Sequence, residues 1–233
     1  MGRSCEVRDL GCLGWAEAYR IQQTLVDQRK AGRVPDQLLF VEHPHVITLG
    51  RNAHRSNILA SPEMLSRGGV DVHETNRGGD VTYHGPGQVV GYPIFDLRDW
   101  KRDVRAYVNA LVQAIARTLA EYGIEAGPDP EAIGVWVDGK KIAAIGIHIS
   151  RWVTSHGFAL NVDTDLSYFR TIVPCGLSKP VTSMRDLGVS TASRQRVIEQ
   201  LTHYLATGFD LDVAPGMRVA GDNEMVLNST EKI

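Results

Sequence analysis

Apolar positions recur along this chain with two different periods, and the changes of period mark out its elements. Residues 5–10 alternate as a short strand, and residues 15–30 follow with helical spacing, closed by Gly32. Residues 37–42 and 46–49 alternate between turn signals and predict two paired strands joined through His43-Pro44-His45. The clearest helix opens after Asp103, a suitable N-cap. Val104, Val108, Leu111, Val112, Ile115, Leu119 and Tyr122 fall on one of its faces, and Gly123 supplies the stop.

Further on, Val135-Trp136-Val137-Asp138-Gly139-Lys140-Lys141-Ile142 predicts a hairpin with Asp138-Gly139 at its two-residue turn. Its second strand runs from Lys140 to about Trp152, and residues 155–161 are expected to return beside it. A last helix, roughly 191–207, buries Val197, Leu201, Tyr204 and Leu205. Runs of strands joined by hairpins, with a few helices between them, predict an α+β fold with a largely antiparallel mixed sheet covered by helices. No Pro/Ser-rich or charged linker divides the 233 residues, so one domain is expected over residues 1–212, with a loose polar tail over 213–233.

Composition narrows the function classes. Apolar residues make up 43% and charged residues 22%, the proportions of an ordinary globular chain, and the net charge of −2 argues against a nucleic-acid partner. The N-terminal residues lack the apolar run of a secretory signal, and no stretch is long enough to cross a bilayer. The expectation is a cytoplasmic protein with no membrane association. Three cysteines, Cys5, Cys12 and Cys175, have no metal-ligand spacing and suit a reducing compartment with at least one free thiol. His43 and His45 lack a third ligand at suitable spacing, so neither metal nor other cofactor is expected.

The chemistry concentrates in the segment from Arg77 to Tyr92, which holds five glycines, Pro86 and His84 between two strand-like runs. Gly78 and Gly79 permit close backbone approach, and Gly85-Pro86-Gly87 makes a stiff turn. A phosphate cradle would open a helix, whereas these glycines lead into the strand-like run 88–95 and no Gly-Lys-Ser/Thr triplet is present. A second candidate is Cys175, flanked by Pro174 and Gly176 in a turn. The residues alone leave a presented nucleophile and a small buried hydrophobe equally open for it.

Arg77-Gly78-Gly79, Thr82, His84, Gln88 and Tyr92, at this spacing, resemble the signature of the lipoyl(octanoyl) transferases of lipoate biosynthesis. Gly139–Gly146 (Gly-Lys-Lys-Ile-Ala-Ala-Ile-Gly), His156-Gly157-Phe158-Ala159-Leu160-Asn161 and Ile172-Val173-Pro174-Cys175-Gly176-Leu177 agree with that family in order and distance, and the similarity runs from about Val7 to about Phe209. The resemblance implies a single domain of the biotin/lipoate protein ligase catalytic type. It also implies transfer of an octanoyl group from octanoyl-acyl carrier protein to a lysine of lipoyl domains, those of 2-oxoacid dehydrogenase complexes and the glycine cleavage H protein, through a thioester on Cys175.

By the same resemblance Lys141 is the partner of Cys175; strand periodicity does not choose between it and Lys140. Substrate contacts are implied for Arg77, Gly78, Gly79, Asp80, Val81, Thr82, Tyr83 and His84, for Ala144, Ile145 and Gly146, and for Gly157, Phe158 and Ala159. Small residues on two adjacent strands can leave a slot, and burying a seven-carbon tail there contributes roughly 5 kcal/mol. The rival readings are an ATP-dependent lipoate or biotin protein ligase on the same fold, a non-catalytic acyl-binding module, and a thioesterase using the same two residues. An adenylate intermediate, binding without covalent transfer, or release of free octanoate would mark each in turn.

Overall fold

The computed structural model of the protein describes residues 2–173, 179–189 and 192–215. In chain order the strands and α-helices are β1 (Arg3–Cys12), α1 (Trp15–Lys30), β2 (Asp36–Glu42), β3 (Val46–Leu49), α2 (Pro62–Arg67), β4 (Asp71–Glu74), β5 (Val81–His84), β6 (Gln88–Ile94), α3 (Val104–Ala120), β7 (Val135–Val137), β8 (Lys140–Ser150), β9 (Val153–Asn161), α4 (Arg194–Phe209) and β10 (Leu211–Pro215). Seven strands form one sheet in the order β10-β1-β2-β6-β9-β8-β7, and three form a second in the order β4-β3-β5. β1 runs parallel to both β10 and β2, while every pairing from β2 across to β7 is antiparallel. The expected mixed, largely antiparallel α+β architecture is what the chain adopts.

Helices cover the large sheet on both faces. Leu38 and Phe40 of β2 pack with Leu111 and Ile115 of α3 and Leu201 and Leu205 of α4, whereas Leu39 and Val41 pack with Ala18, Leu25 and Val26 of α1. A strand buried on both faces reads as a continuous apolar run, which explains Leu-Leu-Phe-Val at 38–41. A third cluster, including Ile47, Leu49, Val81 and Tyr83, backs the small sheet.

Local signals placed several boundaries. The Asp103 carboxylate accepts the Ala106 amide at 3.0 Å and starts α3; the Ser193 hydroxyl does the same for α4 through Arg196, so that helix begins at Arg194, three residues later than the pattern suggested. Within α3 the apolar stripe begins one turn late, since Val104 is 47% exposed, and Tyr122 falls beyond the helix. Asp138 and Gly139 both have positive φ, as a two-residue primed turn requires. Arg151 and Trp152 form a second such turn without glycine, so β8 stops at Ser150 where the apolar pattern carried it to Trp152. Tyr204 of α4, expected inside, packs at the rim and bonds Glu121 through its hydroxyl.

One pairing differs outright. β2 and β3 do not pair with each other; they belong to different sheets. His43 is anchored in the large sheet's layer through Leu13 O (2.7 Å) and the Tyr92 hydroxyl (2.8 Å), while His45 bonds the Tyr83 hydroxyl of the small sheet at 2.7 Å. The chain therefore crosses between sheets at His43-Pro44-His45 and crosses back at Gly85-Pro86-Gly87. At Gly85 a Cβ would lie 1.9 Å from the Tyr83 hydroxyl oxygen, so the second crossing needs glycine. At the C-terminal side, residues 213–215, read as tail, complete β10 beside β1; residues 216–233 lie outside the described residues.

Candidate active site

Between these crossings the two sheets wall a cavity of about 350 Å³. Apolar side chains from many elements line it: Val81 of β5, Val90 of β6, Val108 of α3, Ile145 and Ile147 of β8, Phe158 and Ala159 of β9, together with Ile133, Phe169 and Val181. Its floor follows from small residues in register. Ala144 pairs with Ala159, Ile145 with Phe158 and Gly146 with Gly157 across β8 and β9, which brings the two implied substrate-contact blocks side by side.

The glycine-rich segment leans on this floor. Gly78 N donates to Ile147 O at 2.8 Å, and a Cβ on Gly146 would lie 3.0 Å from Gly78 O. Gly79 has φ +90 and its carbonyl would stand 2.3 Å from a Cβ on Gly50. Bare backbone at positions 50, 78, 79 and 146 is therefore what allows the segment to bridge β3 and β8. Arg77 is 8% exposed; its guanidinium donates to Thr48 O at 2.6 Å, to Thr48 Oγ1 at 3.0 and 3.2 Å, and to Gly78 O at 3.1 Å.

A polar chain fixes the far side. Asn161 Nδ2 donates to Thr182 O at 2.9 Å, leaving its Oδ1 to accept Gln88 Nε2 at 3.0 Å; Gln88 Nε2 also donates to Tyr83 O at 3.2 Å. Gln88 Oε1 is thus an acceptor, and His84 Nδ1, 3.1 Å away, must carry the proton it receives. Burial, reinforced by His43 and Arg77, pushes the His84 imidazole down to about 3, so at neutral pH it presents an unprotonated Nε2. His156, whose Nε2 lies 2.7 Å from Asn76 Oδ1, is likewise pushed down to about 3 by burial and Arg77. Neither histidine is a cation in this site.

Lys141 lines the cavity and Lys140 is exposed at the hairpin, a distinction that periodicity did not make. Its backbone joins residues 180–182: Lys141 N donates to Pro180 O at 2.9 Å and Thr182 N to Lys141 O at 3.0 Å. Cys175, the nucleophile implied by resemblance, lies outside the described residues. Of the substrate-contact residues named from the sequence, Arg77, Gly78, Gly79, Val81, Thr82, Tyr83, His84, Ala144, Ile145, Gly146, Gly157, Phe158 and Ala159 line the cavity. Asp80 is not among the lining residues: its carboxylate takes Asn57 Nδ2 at 2.6 Å and Val81 N at 2.7 Å, which makes it a brace for the segment. The sequence reading missed the wall formed by Glu131, Ala132 and Ile133, which carries no periodicity, and Val108 and Trp15, which read as ordinary core-facing helix residues. Among the described residues no cluster of His, Cys, Asp and Glu is arranged to hold a metal ion.

The lipoyl protein ligase A/B catalytic domain pattern matches residues 15–206. An octanoyltransferase of Solibacter usitatus is 62% identical over 218 residues, covering 94% of this chain and 99% of that protein. An octanoyltransferase of Myxococcus xanthus is 48% identical over 220 residues, covering 90% of this chain and 61% of that one. Among solved structures, lipoate-protein ligase A bound with ATP superposes with a TM-score of 0.72 at 15% identity, covering 95% of this chain and 90% of that chain. A bi-partite lipoate protein ligase from Thermoplasma acidophilum matches with a TM-score of 0.72 at 15% identity, covering 94% and 88%. At such identities the structural likeness speaks for the fold alone.

Proposed function

The chain belongs to the lipoyl protein ligase A/B catalytic domain family, and from that premise we propose that it is an octanoyltransferase acting in protein lipoylation. The donor in this reading is octanoyl-acyl carrier protein and the acceptor is the lysine of a lipoyl domain, with Cys175 carrying the acyl group between them. The observation that carries the reading is the cavity itself. It is apolar, large enough for a medium-length acyl tail, and lined by Lys141 together with the segments around Arg77, Ala144 and Gly157.

The chemistry follows from paired titration of a thiol and an amine. A cysteine thiol with an ordinary value near ~8.5 is mostly protonated at neutral pH, and a neighbouring ammonium lowers it by about 1 to 3 units. The Cys175 thiolate attacks the donor's thioester carbonyl; the bond from carbonyl carbon to the pantetheine sulfur breaks, and the Lys141 ammonium gives its proton to the departing thiolate. Neutral Lys141 then takes a proton from the acceptor's lysine ammonium. The freed amine attacks the acyl-cysteine, the amide forms, Cys175 leaves again as thiolate, and one proton is released to solvent. The donor is already activated as a thioester, so no ATP enters.

His84 and His156, both neutral, serve this site as hydrogen-bonding walls that hold no charge against the acyl tail. The test is to mix the protein with octanoyl-acyl carrier protein and then with an unmodified lipoyl domain, following intact masses. An octanoyl adduct on the protein that moves to the lipoyl domain without ATP supports the reading. Transfer that needs ATP and octanoate, through an adenylate, would replace it with the ligase reading.

A further inference from the structure

Trp136 and Lys141 are a directly opposed pair in the β7–β8 hairpin, so their side chains rise from the same face of the ribbon. The Lys141 ammonium stands 4.8 Å from the centre of the Trp136 indole. At Gly134 a Cβ would come within 3.2 Å of Lys141 Cε and 3.3 Å of Cδ, so the aliphatic stem runs through a space that a side chain would close. The indole is itself held firmly. It is 6% exposed, its Nε1 donates to Ala132 O at 3.0 Å, and its backbone exchanges hydrogen bonds with Gly127 at 2.8 and 3.0 Å.

A second ammonium, that of Lys179, lies 5.2 Å from the centre of the same ring. Its charge is matched by Asp129, at 3.0 Å from both carboxylate oxygens, and by Glu131 at 3.0 Å. Two bare cations on one indole would repel; the two carboxylates on Lys179 offset its charge and remove that objection, and Lys141 is the nearer of the two ammoniums to the ring centre.

We infer that Trp136 is a positioning residue for the proton-handling Lys141, an aromatic platform that holds the ammonium by cation–π attraction at the cavity wall, backed by the ion-paired cluster of Asp129, Glu131 and Lys179. The inference rests on the role given to Lys141 above. A cation held against an aromatic face is stabilised as the charged form relative to the neutral amine. The platform therefore keeps Lys141 protonated during acyl transfer to the protein and limits where its nitrogen can swing. Among the described residues, the other charged or titratable groups that line this cavity are Glu131, which is tied to the platform through Lys179, and Arg77, His84, His156, Tyr83 and Tyr92. None of them is altered by a change confined to the indole.

The test reads the pH profile of the acylation half-reaction with octanoyl-acyl carrier protein, by single-turnover intact mass. Trp136→Leu should move the alkaline limb to lower pH by roughly 0.4 to 1.5 units, the equivalent of a cation–π contact, and Trp136→Phe should restore much of the difference. Because Trp136→Leu also changes packing, the parent and Trp136→Phe are prepared in addition with tetrafluorotryptophan, which keeps the indole's shape and drains its negative face. The limb should then shift downward in the parent and stay in place in Trp136→Phe, even though the other three tryptophans are fluorinated in both. An unmoved limb in the fluorinated parent, or an equal shift in both backgrounds, reduces Trp136 to a packing residue and overturns the inference. Lys141→Ala separates the two layers: full acylation with a parental profile in that variant would remove the role of Lys141 itself, whereas its loss beside an indifferent Trp136 would remove only the platform.

Discussion

Gly157 and Gly91 approach so closely across β9 and β6 that a Cβ on Gly157 would lie 2.2 Å from the Gly91 carbonyl oxygen. Backbone cannot move away from such a contact without breaking the β6–β9 ladder. Gly157→Ala should therefore cost about 1–3 kcal/mol or more of stability, read as a lower denaturant midpoint. The remaining folded enzyme should lose activity equally toward long and short acyl chains. A selective loss of octanoyl transfer with unchanged stability would mean that the methyl is accommodated inside the cavity.

Ala144 tests the cavity more directly, because its side chain lines it and is only partly buried. Ala144→Leu removes room for two or three methylenes of the tail, about 2 kcal/mol of burial. The expected result is a loss of some tens-fold in kcat/KM for octanoyl donors and little change for butyryl donors. Parallel losses for both would place the acyl tail elsewhere.

Cysteine replacement separates three thiols. Cys5 is buried in the core, and burial, with Asp36 nearby, pushes its thiol up to about 12; it is a poor nucleophile at neutral pH. Cys12 is exposed. Cys175→Ala should abolish both the octanoyl adduct and transfer, while Cys5→Ala and Cys12→Ala should retain them. An adduct mapped by peptide mass to Cys5 or Cys12 would move the nucleophile.

If the Lys141 ammonium sustains the thiolate, Lys141→Ala should slow alkylation of Cys175 by a small thiol reagent at pH 7, with recovery as pH rises. Transfer should recover less, because the variant also lacks the proton carrier. Lys140→Ala, altering an exposed residue at the start of β8, should change neither. Parental alkylation of Lys141→Ala from neutral to alkaline pH would dissolve the pairing.

The three buried histidines predict acid sensitivity. Burial holds His43 down to about 4 and His84 and His156 down to about 3, below the ordinary value near 6.5. The unfolded chain thus takes up protons below about pH 6.5 that the native state refuses. Their contribution is complete above that pH and is lost as pH falls toward 4, at about 1.4 kcal/mol per histidine for each full unit. Urea midpoints should fall steeply between pH 6.5 and 5, above the range where most carboxylates titrate. A flat profile there would mean that the imidazoles accept protons in place.

The parts of the structure that depend on neighbours in sequence were readable from it. Asp103 caps α3, Asp138-Gly139 turns β7 into β8, and the hairpin register that opposes Trp136 to Lys141 follows from that turn alone. Sheet membership was not readable, because β3 takes β4 and β5 as partners over its adjacent neighbour β2 and alternation carries no record of the partner. Much of the site was legible through glycines, since close approach at 78, 79 and 146 leaves a compositional trace. The 131–133 wall leaves none: its place is set by an irregular local turn that Trp136 Nε1 closes on Ala132 O and by Lys179, a partner some fifty residues away that no short-range pattern encodes.

The pairing of β10 with β1 sets an order on folding. Arg3 meets Leu211 in register, and Arg3 also bonds the Phe209 and Asp210 carbonyls. A chain emerging from the ribosome therefore holds β1 with one ladder edge open until almost all the described residues have been made. Contacts this far apart in sequence slow closure, and an open strand edge invites pairing with other chains. The vulnerable interval for this protein falls during synthesis, before the last strand arrives, and a chain ending at residue 210 should accumulate as aggregates although it contains every cavity-lining residue described above.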